Sequence, residues 1–236
     1  MTTTGVRQRL LLTAVTCHKG DPDRNLAAHR ELLAEGAARG CDLVVLPEMS
    51  LSGSVDPSRT PERLLDLDGP HVRALVEATA GARAVCFGLA EAGGPWITQC
   101  IAAGGELVAV QRKRLLGEGE EAFVAAPEEA ATWGPYSIAI CKEGEHDPAW
   151  EAGTPIVLFC AAPGLYETFE AGVVWWEGHG LGQAAHHARR RGVWVALSTQ
   201  WGTTEDEDFP GIAALVSPDG EVVAKSMEGV LAVDVP

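Results

Sequence analysis

Apolar residues in this chain fall in short unbroken runs, separated by polar stretches that carry glycine and proline. Leu10 to Val15, Leu43 to Leu46, Ala84 to Leu89, Tyr136 to Cys141, Pro155 to Cys160 and Val193 to Ser198 are each of strand length and carry no charge. Runs of that kind belong to strands covered on both faces. Between the first two, Leu26, Leu33 and Ala37 recur at helical spacing. Asp21-Pro22 supplies the N-cap and first-turn proline, and Gly40 the stop. Strand, helix, strand in this order predicts a βαβ unit. Further helices are predicted from Pro70 to Ala80 and over Glu170 to Arg191, where Gly192 closes the second. Ile97 to Ala102 and Leu107 to Val110 read as strands joined by a hairpin turn at Gly104-Gly105. Ile212 to Val216, Glu221 to Lys225 and Val230 to Val235 end the chain, with Pro218-Asp219-Gly220 turning between the first two. Leu51 to Asp68 and Lys113 to Pro127 are loops. The pattern predicts an α/β fold of mixed pairing, one domain over residues 1–236, with no internal repeat.

Composition narrows the partners. The 236 residues are 46% hydrophobic and 22% charged, ordinary for a globular protein, and the net charge of −15 argues against nucleic acid or an anionic membrane surface. Six cysteines, none in a C-x-x-C pair, read as reduced thiols and make a cytoplasmic location the expectation. Met1 to Arg9 is polar and Leu10 to Val15 too short for a signal core or a membrane span, so neither is expected. His179, His186 and Glu177 do not make a recognised ligand spacing, and adjacent His186 and His187 point to different faces of a helix. Neither a metal nor a cofactor is expected.

Three of the runs end on residues able to do chemistry. Glu48 follows Leu43 to Pro47; a partly desolvated carboxylate at a strand end has a raised pKa and can serve as a general base. Cys141 ends Ser137 to Ile140 and opens the polar stretch Lys142 to Asp147, where a thiol is rigidly held yet reachable. Lys113 stands within Arg112-Lys113-Arg114, which reads either as a solvated basic patch or as one ammonium turned inward to hold an oxyanion. Singly, each has an ordinary structural explanation.

As an ordered set they resemble the nitrilase superfamily of carbon–nitrogen hydrolases. Leu43 to Gly53 is similar to its glutamate motif, Arg112 to Leu116 to its lysine motif, and Gly134 to Glu143 to its cysteine motif, with an acid two residues after the thiol. Phe209-Pro210-Gly211 and Ser217 to Gly220 extend the likeness towards the C-terminus. A second family glutamate is best matched by Glu120, ahead of Glu121 and Glu118, since Phe123 follows it. The resemblance implies a four-layer α-β-β-α sandwich with two central mixed sheets. It implies Cys141 as nucleophile, Glu48 as base, Lys113 and the Lys142 backbone N–H as oxyanion donors, and Glu120 in support. It also implies a small amide, carbamoyl or nitrile substrate and a homodimer or larger homo-oligomer. A soluble amide-forming acyltransferase and a catalytically silent binding protein are the alternatives. The chain departs from the pattern at Leu115 for a usual histidine, at Lys142 for a usual aromatic, at His146 to Trp150, at His186 to Arg191, and at Thr199-Gln200 for an asparagine. Loops Leu51 to Asp68, Glu118 to Thr132, Glu143 to Glu151 and Pro163 to Gly172 are expected to line the pocket.

Overall fold

In chain order the first half comprises β1 (Gln8–Val15), α1 (Pro22–Ala38), β2 (Leu43–Val45), α2 (Pro70–Glu77), β3 (Ala84–Glu91), β4 (Trp96–Ala103) and β5 (Glu106–Arg112). The second comprises β6 (Thr132–Trp133), β7 (Tyr136–Ile140), α3 (Glu143–His146), β8 (Ile156–Ala161), α4 (Phe169–Trp175), α5 (Leu181–Arg191), β9 (Trp194–Gln200), β10 (Gly202–Thr203), β11 (Asp208–Phe209), β12 (Ala213–Val216), β13 (Val222–Ser226) and β14 (Gly229–Val235). This computed structural model describes residues 7–81, 83–127, 129–146, 153–164, 166–204 and 206–236.

The strands form two halves. One runs β14-β1-β2-β3-β4-β5 and the other β13-β12-β9-β8-β7-β6. The two halves meet where β1 and β9 pair in parallel over Ala14–Thr199 and Val15–Gln200. In each half a parallel centre is flanked by antiparallel strands: β1 and β3 pair parallel with β2, and β7 and β9 parallel with β8, while β4, β12 and β14 pair antiparallel.

Three apolar layers follow from the period of two along each strand. Leu10 and Leu12 of β1 meet Ile138 and Ile140 of β7 and Leu158 of β8 in the central layer, between the sheets. Leu11 and Val44 face the other way and pack on Leu26, Leu33, Val72 and Leu75 of α1 and α2. Val157, Val195 and Leu197 likewise pack on Leu181, Ala184 and Ala188 of α5. Helix, sheet, sheet, helix is the expected four-layer sandwich.

Local chemistry sets the boundaries. The Asp21 carboxylate accepts from the Arg24 amide, Pro22 opens α1, and Gly40 follows the helix at φ 68°. Gly104 and Gly105 turn the β4–β5 hairpin with φ of 62° and 86°. α2 stops at Glu77, short of the expected Ala80, where the Thr79 hydroxyl donates to the Val76 carbonyl and accepts from the Gly105 amide. The predicted 170–191 helix is interrupted: Trp176–Gly180 forms a π turn between α4 and α5. Strands β6, β10 and β11 and the one-turn α3 are too short to show a hydrophobic period and were not expected.

Candidate active site

The end of β2 carries Glu48 deep between the sheets, 1% exposed. The apolar run holds this acid inside because its backbone is bonded throughout. Leu46 N–H donates to the Cys86 carbonyl, Gln99 Nε2 to the Leu46 carbonyl, and Gln200 Nε2 to the Glu48 carbonyl at 3.0 Å. Met49 then takes a positive φ of 49°. Gly88 on β3 makes this approach possible, since a Cβ there would lie 2.4 Å from the Met49 nitrogen and 2.5 Å from Gln99 Oε1.

Lys113 follows β5 and is 0% exposed. Its amide donates to the Ile97 carbonyl and its carbonyl accepts from Ala126. Its Nζ donates to Glu48 Oε1 at 2.8 Å and to Glu120 Oε1 at 2.5 Å. Glu120 is fixed in turn by the Gly117 amide, which donates to its Oε2 at 2.6 Å. The flanking arginines are not a solvated patch. Arg112 pairs with buried Glu91 and lies over the Trp96 ring, and Arg114 pairs with buried Glu143. Alternation along an extended segment turns Lys113 one way and both arginines another.

Cys141 ends β7, whose five residues are all buried, and takes a left-handed backbone with φ 44°. A β-region strand residue would carry the chain on; this turn lifts the thiol at the strand tip. The Cys141 amide donates to the Cys160 carbonyl, and its own carbonyl accepts from Gly144. The Ala162 amide, at the tip of neighbouring β8, donates to Glu48 Oε2 at 2.9 Å.

The electrostatics follow from burial. Desolvation raises the Glu48 carboxyl above its ordinary 4.5 against the pull of Lys113, with the Glu120 charge adding to the rise. Burial works to discharge Lys113, yet Glu48, Cys141 and Glu120 outweigh it and its pKa is raised. Burial first, then the Glu48 charge, push the Cys141 thiol well up, so the resting nucleophile is the neutral thiol. A charged lysine therefore bridges two carboxylates beside a protonated thiol.

Cys141, Glu120 and Lys142 open into a cavity of 840 Å³. The loops expected to line it contribute Val55, Arg59, Glu118, Glu145 and Tyr166. Asp147 to Glu151, within one of those loops, lie outside the described residues. Lys19, Asp206 and Phe209 also line it and were not foreseen, because they approach from elements distant in sequence. Gln200 was read only as a departure at the end of β9; it proves to hold both the Glu48 carbonyl and the Ser54 hydroxyl. Its place after an uncharged strand was the available signal. Glu143, noted only as the acid after the thiol, is fully buried between Arg114 and the β7 end. Among the described residues no cluster of ligating side chains could hold a metal, and no helix is long and apolar enough to cross a membrane.

A thiol, a buried carboxylate and a buried ammonium thus meet at the strand tips of a two-sheet sandwich. The carbon–nitrogen hydrolase family model matches residues 10–235, and the chain belongs to that family, within the nitrilase superfamily. It is similar in structure to the amidase of Nesterenkonia sp. AN1. A double mutant of that amidase in complex with acrylamide has a TM-score of 0.83 at 22% identity, covering 100% of this chain and 93% of that one. A structure of an amidase from Nesterenkonia sp. gives 0.82 at 23%, again covering 100% and 93%. A mutant carrying the acetamide moiety of fluoroacetamide on its active-site cysteine gives 0.81 at 24%, with the same coverage. At these identities the likeness shows the fold. No curated protein matches this chain.

Proposed function

We propose that the chain, acting as one domain, hydrolyses a small amide through a thioester on Cys141. The observation that carries this is the buried Lys113 ammonium shared between Glu48 and Glu120, of which Glu120 lines the cavity that Cys141 opens into. Substrate binds with its carbonyl oxygen towards Lys113 Nζ and the Lys142 backbone N–H. Glu48 takes the thiol proton as the sulfur–carbon bond forms, and the carbonyl π pair moves onto oxygen. The two donors hold that oxyanion; removing one such donor costs about 100- to 1000-fold in rate. When the oxyanion collapses the carbon–nitrogen bond breaks, and Glu48 returns its proton to the departing amine. Water then attacks the thioester as Glu48 takes its proton; the second oxyanion collapses, the carbon–sulfur bond breaks, Glu48 returns the proton to the Cys141 sulfur, and the carboxylic acid leaves. The raised Glu48 pKa suits this double duty, because proton exchange is easiest when donor and acceptor are closely matched. Glu120 positions Lys113. The amidase reading draws support from the neighbours, which carry amide-derived groups at their active-site cysteine. A homodimer or larger assembly remains part of the proposal, and sedimentation mass tests it.

The experiment is turnover of simple amides followed by ammonia release, with intact-mass measurement of the trapped acyl-enzyme. Wild type should acquire one acyl group; Cys141→Ala should stay folded, acquire none and release no ammonia. Retained turnover in Cys141→Ala would sink the mechanism. A protein that binds amides but neither acylates nor turns over would be the silent binding alternative.

A further inference from the structure

The cavity has two unlike sets of lining residues. Phe159, Tyr166, Trp175 and Trp176 form a continuous aromatic wall: Trp175 lies 5.1 Å from Trp176 and 5.6 Å from Tyr166, and Trp176 lies 6.4 Å from Phe159, between ring centroids. The backbone is built to hold it. A Cβ on Gly180 would sit 2.4 Å from the Trp176 ring, and one on Gly172 would sit 2.7 Å from Tyr166. The π turn Trp176–Gly180 sets the adjacent tryptophans edge to face, with both rings on the cavity. Trp176 is 2% exposed, and its indole N–H has no hydrogen-bond partner among the described residues.

The charged part of the lining is acidic. Seven carboxylates line the cavity against three cations. Two of those cations are already neutralised: Lys19 Nζ lies 2.8 Å from both Asp206 and Glu207, and Lys142 Nζ lies 2.5 Å from Glu145. Arg59, the third, is exposed to solvent, which screens it. A carboxylate on the substrate would thus enter a field dominated by its own sign.

We propose that this cavity selects amides whose acyl group carries a flat, uncharged aromatic body, and rejects amides that carry a carboxylate. N-carbamoyl amino acids and monoamides of dicarboxylic acids are thereby excluded. The proposal rests on the reading of Cys141 as an amide-cleaving nucleophile, and its test separates the two. The aromatic wall supplies dispersion and apolar contact, and the acidic lining does the rejecting.

Three primary amides serve as probes: para-hydroxyphenyl-propanamide, its para-carboxyphenyl counterpart, and propanamide. With wild type, kcat/KM for the hydroxyphenyl amide should exceed each of the others by about tenfold or more, and the gap to the carboxylate should narrow as salt screens the rim. Calorimetric binding to Cys141→Ala should give the same order, so the preference is measured even where turnover is absent. Absent turnover with the expected binding order counts against the catalytic reading alone. In Asp206→Asn/Glu207→Gln, which unmasks Lys19, the carboxyphenyl amide should bind about tenfold tighter than to the parent. Equal or tighter binding of the carboxyphenyl amide or of propanamide by the parent overturns the proposal, as does a double variant that folds yet gains nothing for the carboxylate.

Discussion

The Glu143 carboxylate grips Arg114 on both backbone and side chain: Oε1 accepts from the Arg114 amide at 2.6 Å and from its Nε at 3.1 Å. Glu143 Oε2 accepts from the Ile140 amide at 3.1 Å. One fully buried acid therefore ties the residue after Lys113 to the residue before Cys141.

Glu143→Gln keeps the shape but replaces one acceptor oxygen by an amide nitrogen facing N–H donors. It should lower kcat about tenfold or more while changing KM little, because misplacing a reacting group acts on the transition state. Thermal unfolding should show a loss of about 1–3 kcal/mol, since a buried charge-assisted network loses a member. A role in packing alone predicts the stability loss with kcat intact.

Lys113 is fully buried and shared by two carboxylates. Lys113→Met removes the cation and leaves Glu48 and Glu120 facing each other. Breaking a buried pair in this way costs about 3–5 kcal/mol. Chemical denaturation should show that loss at neutral pH, and it should shrink on acidification as the carboxylates take up protons. Turnover should vanish at every pH.

Glu48 must be ionised to accept the thiol proton, and burial holds its carboxyl above 4.5. The acid limb of kcat/KM should therefore lie above pH 4.5, activity falling as pH drops through the raised value. For stability the sign is opposite. A carboxyl with a raised folded-state pKa binds more protons folded than unfolded, so its own contribution becomes less favourable as pH rises through that window. Glu48→Gln should erase the activity limb and flatten this part of the stability profile.

His29 of α1 is 2% exposed. Burial lowers its pKa from 6.5 to about 3. Between those values the unfolded chain binds the proton and the folded chain refuses it. Stability is thus fully present above pH 6.5 and declines below it, by up to about 1.4 kcal/mol per pH unit. His29→Leu should flatten that decline in acid unfolding experiments; an unchanged slope would assign acid sensitivity elsewhere.

Strands were legible wherever an uncharged run had turn residues at its ends. Leu10 to Val15, Ala84 to Leu89 and Tyr136 to Ile140 all fall within observed strands. The chemistry at their tips was legible too, since Glu48 and Cys141 interrupt apolar runs and a charged or reactive group there must be buried or presented. The arginines beside Lys113 were not. A basic triplet looks solvated until Glu91 and Glu143 arrive from elsewhere in the chain. The π turn was equally hidden, because helical period and glycine content say nothing of the two tryptophans that Gly180 must admit.

By itself the sequence determined the alternation of buried strands and capped helices, and which three tips bear acid, ammonium and thiol, because hydrophobic period and capping act within a few residues. Only the tertiary structure decided what those tips mean to one another. Lys113 becomes a shared cation, Cys141 a neutral thiol, and Lys19 a masked charge through partners remote along the chain: Glu48, lying 65 positions from Lys113, and Asp206, lying 187 from Lys19. Burial and Coulomb interaction depend on distance in space, and folding alone brings those distances about.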